Sequence, residues 1–193
     1  MTNVIIRHVN EHDVDACYTI ESICYTTDAA TREKIQKRIE LDPDGFLVAE
    51  LKGQIVGMIN SGSTNRDDIT DEAFKDMVGH EKNGKNIVIF SLAVLPEYQG
   101  NGVSKKLMSR FIEVSKALKK QKILLICKSN LVPYYQKYGF STVESQHQHL
   151  AALSGMRCIC LCIICQRIKQ KILFEPNLPL LSSIIAFYSI YSC

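Results

Sequence analysis

Apolar and polar positions change period several times along the chain, and each change marks an element. An apolar run containing Ile5 and Val9 predicts a strand over about 4–9. A helix follows over about 12–24, then the polar break Thr26-Thr27-Asp28, then a charge-rich helix to about 41. Asp42-Pro43-Asp44-Gly45 has turn chemistry. FLVAEL at 46–51 and QIVGMIN at 54–60 read as two strands joined at Lys52-Gly53, a hairpin signal. Residues 63–86 form an excursion with a short helix from about Thr70, whose hydroxyl can cap it, with Asp71 and Glu72 in the first turn.

A second half begins with the apolar run IVIFSLAV at 87–94, which stops at Pro96 and passes into Gln99-Gly100-Asn101-Gly102-Val103-Ser104. Beyond it Val103, Leu107, Met108, Phe111, Val114 and Leu118 recur on one helical face, while Lys105, Lys106, Arg110, Lys116, Lys119 and Lys120 make the other side basic. KILLIC at 122–127 reads as a strand, 131–138 as a helix ended by Gly139, and segments near 140–144 and 156–164 as further strands. This order predicts an α/β domain with a mixed sheet and helices on both faces, over residues 1–165. Residues 166–193 form an apolar extension of no stated role. Its last 16 residues carry no charge but fall short of the ~20 that span a bilayer, so no membrane partner is expected.

Chemistry concentrates where the strand at 87–94 hands over to the helix. The first turn of a helix leaves backbone N–H groups without partners at the positive end of its dipole, so residues 101–105 suit a pyrophosphate. Gly100 and Gly102 lack a β-carbon and let the backbone come close to a ligand. Pro96 cannot donate to a ladder, which predicts that the strand ends or splays there and leaves backbone groups of Leu92, Ala93 and Val94 open. The glycine spacing lacks the third glycine of a dinucleotide fingerprint, and no Gly-Lys-Ser/Thr follows as in a P-loop.

Composition narrows the partner. At 193 residues, 46% hydrophobic and 22% charged, the chain suffices for one ordinary core, and a net charge of +3 suits a phosphorylated cofactor better than nucleic acid. Charged residues from Arg7 to Asp13 interrupt any early signal-like stretch, so the cytoplasm is the expected compartment. Among eight cysteines, Cys158, Cys160, Cys162 and Cys165 cluster. Alternation puts the first three on one face of a strand, which fits free thiols in a reducing compartment, and no metal is expected.

Gln99 and Gly102 match the QxxGxG/A motif of the GNAT acetyltransferases, with Ser104 where that family usually has glycine or alanine. FSLAV before the loop and LVPYYQKYGF at 131–140 resemble the arylalkylamine (serotonin) N-acetyltransferases. So do IESICYTTDAA at 21–30 and FLVAELKGQIVGMINSG at 46–62, which are similar to the non-vertebrate branch. The resemblance spans roughly residues 3–145. It implies a GNAT fold, with a mostly antiparallel sheet splayed at the cofactor strand, and direct transfer from acetyl-CoA to a small primary amine such as serotonin, tryptamine or phenylethylamine.

By that resemblance, acetyl-CoA would lie on Leu92, Ala93, Val94, Gln99, Gly100, Asn101, Gly102, Val103, Ser104 and Lys105. The Leu92 N–H would polarise the thioester, Tyr135 would protonate the leaving thiolate, and Tyr25, Leu92 and Ile126 would bound the amine slot. Val88 and Phe90 stand where vertebrate relatives carry two histidines, which leaves the proton acceptor open: His80 and Glu97 could substitute through water, but each is more often a surface polar residue and neither is chosen. Ser91 is a candidate to order water. A polyamine acceptor and a non-catalytic acyl-CoA-binding module are the competing readings. Oligomeric state is not legible.

Overall fold

The computed structural model describes residues 4–25, 28–67, 69, 72–142 and 158–164, with backbone alone for 72 and 158–164. Its strands are β1 (Ile5–His8), β2 (Leu47–Leu51), β3 (Gln54–Thr64), β4 (Asn86–Val94), β5 (Lys122–Lys128), β6 (Ser141–Thr142) and β7 (Cys158–Ile164). The helices are α1 (Val14–Cys24), α2 (Arg32–Leu41), α3 (Val103–Ala117) and α4 (Val132–Gln136). The strands form one sheet in the order β1-β2-β3-β4-β5-β7-β6. Every neighbouring pair is antiparallel except β4 and β5, which run parallel.

Local chemistry accounts for these elements. The β2–β3 hairpin turns on Lys52 and Gly53, with φ of 52° and 80°, the left-handed pair that matches strand twist. A one-turn 3-10 helix over Glu11–Asp13, closed by a reciprocal capping box between Asn10 and Asp13, takes the first turn expected of α1. Thr31 caps α2 by accepting the Lys34 N–H at 3.3 Å.

Helices cover both faces of the mixed sheet, as the pattern predicts. On one face Val103, Leu107, Met108, Phe111 and Val114 of α3 pack against Ala49, Ile59, Ile89 and Leu125. Each such large side chain, fully buried, contributes about 1.5–3 kcal/mol. On the other face Ile20 of α1 and Ile35 and Ile39 of α2 pack against Val48, Met58 and Ala93. Phe74 of the excursion joins this side, against Val88, Phe90 and Leu124.

Two α3 assignments change. Leu118 is exposed just past the helix end, and Lys120, expected among the solvated cations, is buried with Nζ donating to Ser63 Oγ and the Gly84 carbonyl, both at 2.8 Å. The cause is Lys119, whose φ of 57° breaks the helical face and turns the chain inward. A 3-10 turn over Glu72–Asp76 replaces the short helix in the excursion, and its expected cap at Thr70 and Asp71 lies outside the described residues. So do 143–144, 156–157, Cys165 and the extension 166–193.

The sheet opens at a different place from the one expected. Pairing between β4 and β5 stops at Ile89↔Leu125, well before Pro96, while β4 stays paired to β3 as far as Val94. A bulge is the cause. Ser91 pairs with Asn60 and Ile89 with Ser61, so Phe90 is an extra residue on β4. Before it, Ile87 and Ile89 face α3; after it, Val94 faces α3 and Ala93 faces α1 and α2. One inserted residue thus turns Phe90 and Ser91 to the same face and aims the rest of β4 into the gap. Pro96 instead begins the 3-10 turn Pro96–Tyr98.

Candidate active site

The gap between the outer ends of β4 and β5 is a cavity of about 340 Å³, lined by Leu92, Val94, Tyr98, Gln99, Gly100, Val103, Ser104, Leu131, Tyr134 and Tyr135. Six of these belong to the expected cofactor set of ten: Leu92, Val94, Gln99, Gly100, Val103 and Ser104. Asn101, Gly102 and Lys105 are in the same loop and helix start. Ala93 is set apart, because the Leu95 N–H donates to the Val56 carbonyl at 3.0 Å and the two-residue period turns Ala93's backbone toward β3 as well.

Leu92 and Val94 direct their backbone groups toward the gap, yet these groups are not all open. The Val94 carbonyl accepts the Gln99 side-chain amide at 2.8 Å and the Cys24 thiol at 3.4 Å. The Leu92 carbonyl accepts the Tyr25 hydroxyl at 2.9 Å, and the same hydroxyl accepts the Leu92 N–H at 3.3 Å. Gln99 therefore ties the loop to the strand end rather than projecting freely.

α3 starts without a side-chain cap. Gly102 is its N-cap at φ 78°, and Gly100 has φ 75°, so both stand where a side chain would be strained. A β-carbon at either would meet nothing within 4 Å, which leaves the space before the helix dipole clear for phosphate.

Tyr135 and Tyr134 both reach the cavity, but differently. Tyr135 is buried against Phe140, and its hydroxyl has no hydrogen-bond partner among the described residues. Burial, and then the neighbouring Tyr25 phenol, hold the Tyr135 phenol above the usual tyrosine range, so it keeps its proton at neutral pH. Tyr134 packs edge-on against it at 5.1 Å, and its hydroxyl accepts from Tyr138 at 3.4 Å. Burial pushes the Tyr25 phenol up to about 12.

On the other face of the sheet, beside the last β4–β5 rung, the side chains are mainly apolar. Phe90 packs edge-to-face on Phe74 at 5.4 Å and lies under the Arg38 guanidinium, 4.8 Å from the ring centroid. Gly62 makes this possible, since a β-carbon there would come within 2.6 Å of Phe90 Cζ. Ile126, on the same strand face as Leu124, is exposed beyond the last β4–β5 rung.

Neither His80 nor Glu97 is among the residues lining the cavity. The His80 side chain is buried, with Nδ1 accepting the Ser63 N–H at 3.1 Å, and fastens the excursion to β3; Glu97 is exposed on the turn after β4. α1 carries a buried carboxylate the sequence reading passed over: Glu21 is 3% exposed, Oε1 accepts the Ala30 N–H at 3.3 Å, and Oε2 has no partner among the described residues. Burial holds its proton affinity above the usual carboxylate range, while Ser91, Ala30 N–H and Arg38 pull it down. Its signal was the apolar spacing of Cys17, Ile20 and Cys24, which places Glu21 on the buried side of α1.

Among the described residues no three metal-binding side chains cluster, and no helix is long and apolar enough to cross a membrane. Cys17, Cys24 and Cys127 are not joined in disulfides.

Residues 14–140 match the acetyltransferase (GNAT) family. Acetyltransferase ECA0875 of Pectobacterium atrosepticum is 28% identical over 113 residues, covering 57% of this chain and 67% of that protein. The probable hydrolase YhcX of Bacillus subtilis is 25% identical over 146 residues, and the matched part is 70% of this chain but 28% of that protein's length. The GphF GNAT-like decarboxylase, solved in complex with isobutyryl-CoA, superposes with a TM-score of 0.70 over 84% of this chain and 100% of its own, at 14% identity, a likeness of fold. With a parallel β4–β5 pair that parts at a bulge and a glycine loop opening α3 beside the gap, this chain belongs to the GNAT acetyltransferase family.

Proposed function

We propose that the protein transfers the acetyl group of acetyl-CoA to a small primary amine, with arylalkylamines as the leading class. The observation that carries this reading is the convergence on one cavity of the turned β4 edge, the uncapped α3 start and the protonated Tyr135 phenol. The pantetheine arm would run along Leu92 and Val94, and the diphosphate would rest on residues 100–105. An alkylamine is only about one part in a thousand neutral at pH 7, so its proton must be taken. Glu21 is its destination. The amine nitrogen attacks the thioester carbonyl, the C–N bond forms as the C–S bond breaks, the thiolate takes its proton from Tyr135, and the resulting phenolate is reprotonated by the second proton that the nitrogen loses on becoming an amide.

Phe90, Phe74 and Ile126 favour an aryl tail over a polyamine, because a second ammonium would approach the Arg38 cation above Phe90. Free-thiol release from acetyl-CoA, measured against a panel of phenylethylamine, tryptamine, serotonin, spermidine and short peptides, tests this. Release fastest with the aryl amines is the expected result. Cofactor binding without release for any amine would leave an acyl-CoA-binding module, and release with peptides alone would move the acceptor to a protein N-terminus.

A further inference from the structure

Two successive residues at the end of α1 reach the stretch of β4 that β5 leaves unpaired beyond Ile89. The Cys24 thiol donates to the Val94 carbonyl at 3.4 Å, and the Tyr25 hydroxyl donates to the Leu92 carbonyl at 2.9 Å while accepting the Leu92 N–H at 3.3 Å. The two-residue period that sends Ala93 and Leu95 toward β3 turns these groups of Leu92 and Val94 to the gap. The Tyr25 hydroxyl therefore stands in the gap itself, hydrogen-bonded to a residue that lines the cavity. Its ring arrives from the α1 face, half-buried against the cluster of Met58 and Ala93, whereas Tyr135 arrives from the α3 face, in the cluster of Phe111 and Phe140. Leu92 is the β4 lining residue nearest the last β4–β5 rung, so Tyr25 closes the inner end of the cavity. Its backbone is pinned there: the Tyr25 N–H ends α1 on the Glu21 carbonyl at 2.9 Å, and the preceding Cys24 is tied to Val94.

We infer that Tyr25 sets the size of the acyl group, its ring forming the far wall of the space beyond the thioester. The inference rests on the transferase reading above, in which the thioester oxygen takes the Leu92 N–H that the phenol holds here. A carbonyl oxygen on that amide replaces the phenol oxygen, so the acyl carbons attached to it lie next to the ring. Rotation about the side-chain bonds swings the hydroxyl off the amide and makes room for a methyl group. It does not clear away a ring whose backbone is held at two points, and each further methylene meets ring atoms. The opposite face offers no slack, because Tyr135 is packed on Phe140 and Tyr134 at ring-centroid distances of 5.8 and 5.1 Å. The hydroxyl and the ring thus have separable effects. The hydroxyl competes for the amide whatever the acyl chain, and the ring discriminates by chain length.

The test compares acetyl-, propionyl-, butyryl- and hexanoyl-CoA on wild type, Tyr25→Phe, Tyr25→Leu and Tyr25→Ala, with Kd from calorimetric titration and kcat/KM from thiol release at a fixed amine. Wild type should bind butyryl-CoA at least about tenfold more weakly than acetyl-CoA. Tyr25→Phe keeps the ring and should show the same ratio. Tyr25→Ala should bring butyryl-CoA to within about threefold of acetyl-CoA or beyond it, since each methylene that finds a place there is worth up to about fourfold in affinity. Tyr25→Leu should fall between them. A ratio taken within one variant cancels any general loss of stability or cofactor affinity, so a merely structural role for Tyr25 leaves it unmoved. The same ratio in wild type and Tyr25→Ala, or a wild type that binds hexanoyl-CoA as tightly as acetyl-CoA, would overturn the inference. If Tyr25→Ala does not fold, Tyr25→Leu decides the same question. Kd ratios that follow this pattern without thiol release from any thioester would count against the transferase reading and leave the wall in place.

Discussion

The Tyr25 hydroxyl closes a two-way hydrogen bond with Leu92, donating to its carbonyl at 2.9 Å and accepting from its N–H at 3.3 Å. A side chain from the end of α1 thus spends the one backbone amide assigned to the thioester oxygen. Any acyl group that uses that amide must first displace the phenol. Tyr25→Phe should therefore lower KM for acetyl-CoA by about threefold, the worth of one modest hydrogen bond. A weaker KM in that variant would mean that the phenol assists the cofactor instead of competing with it.

Gly102 separates binding from folding. Its φ of 78° and the empty space before it mean that alanine would strain the backbone by about 1–2 kcal/mol without striking any atom of the protein. The methyl would instead occupy the phosphate position. Gly102→Ala is expected to lose at least about tenfold in acetyl-CoA affinity while unfolding cooperatively with only that small penalty, as read by calorimetry and denaturant titration. Equal losses at Gly53, another left-handed glycine in open space but far from the loop, would show that backbone strain alone is responsible.

Tyr135→Phe should slow kcat by about a hundredfold and leave KM for acetyl-CoA within about twofold, because the phenol acts on the departing thiolate and not on the bound cofactor. The same substitution at Tyr134, whose hydroxyl is engaged by Tyr138, should leave kcat within about threefold of wild type. Steady-state thiol release on both variants checks the contrast.

Glu21 predicts a conflict between activity and stability. Its folded proton affinity lies above the unfolded value, so the ionised form is the costly one. That cost is fully present above the folded value and fades as pH falls through it toward the unfolded value. Glu21→Gln should accordingly melt higher than wild type at pH 7.5, with the advantage shrinking in acid, while acetyl transfer is lost. A variant that melts lower at pH 7.5 and gains on acidification contradicts this sign.

Much of this site is written in the sequence. The apolar runs, the glycine loop and the face of α3 follow from period and backbone chemistry, and Leu92, Val94, Gln99, Gly100, Val103, Ser104 and Tyr135 do gather on one cavity. The opening of the sheet was not legible, because NIVIFSLAV is a nearly continuous apolar run and gives no mark of an inserted residue. The turn of Ser91 toward Asn60, whose side-chain amide it accepts at 2.6 Å, therefore stayed hidden. Arg38 and Lys120 look like solvated cations by composition, and only their tertiary partners, the Lys75 and Gly84 carbonyls, take them into the interior.

Calorimetric titration of the protein with acetyl-CoA tests the central claim most directly, that the parted β4 edge and the opening of α3 together hold this cofactor. A saturable exchange of heat at one site per chain, accompanied by a rise in Tm with ligand concentration, is the predicted result. A flat titration with an unmoved Tm would contradict it.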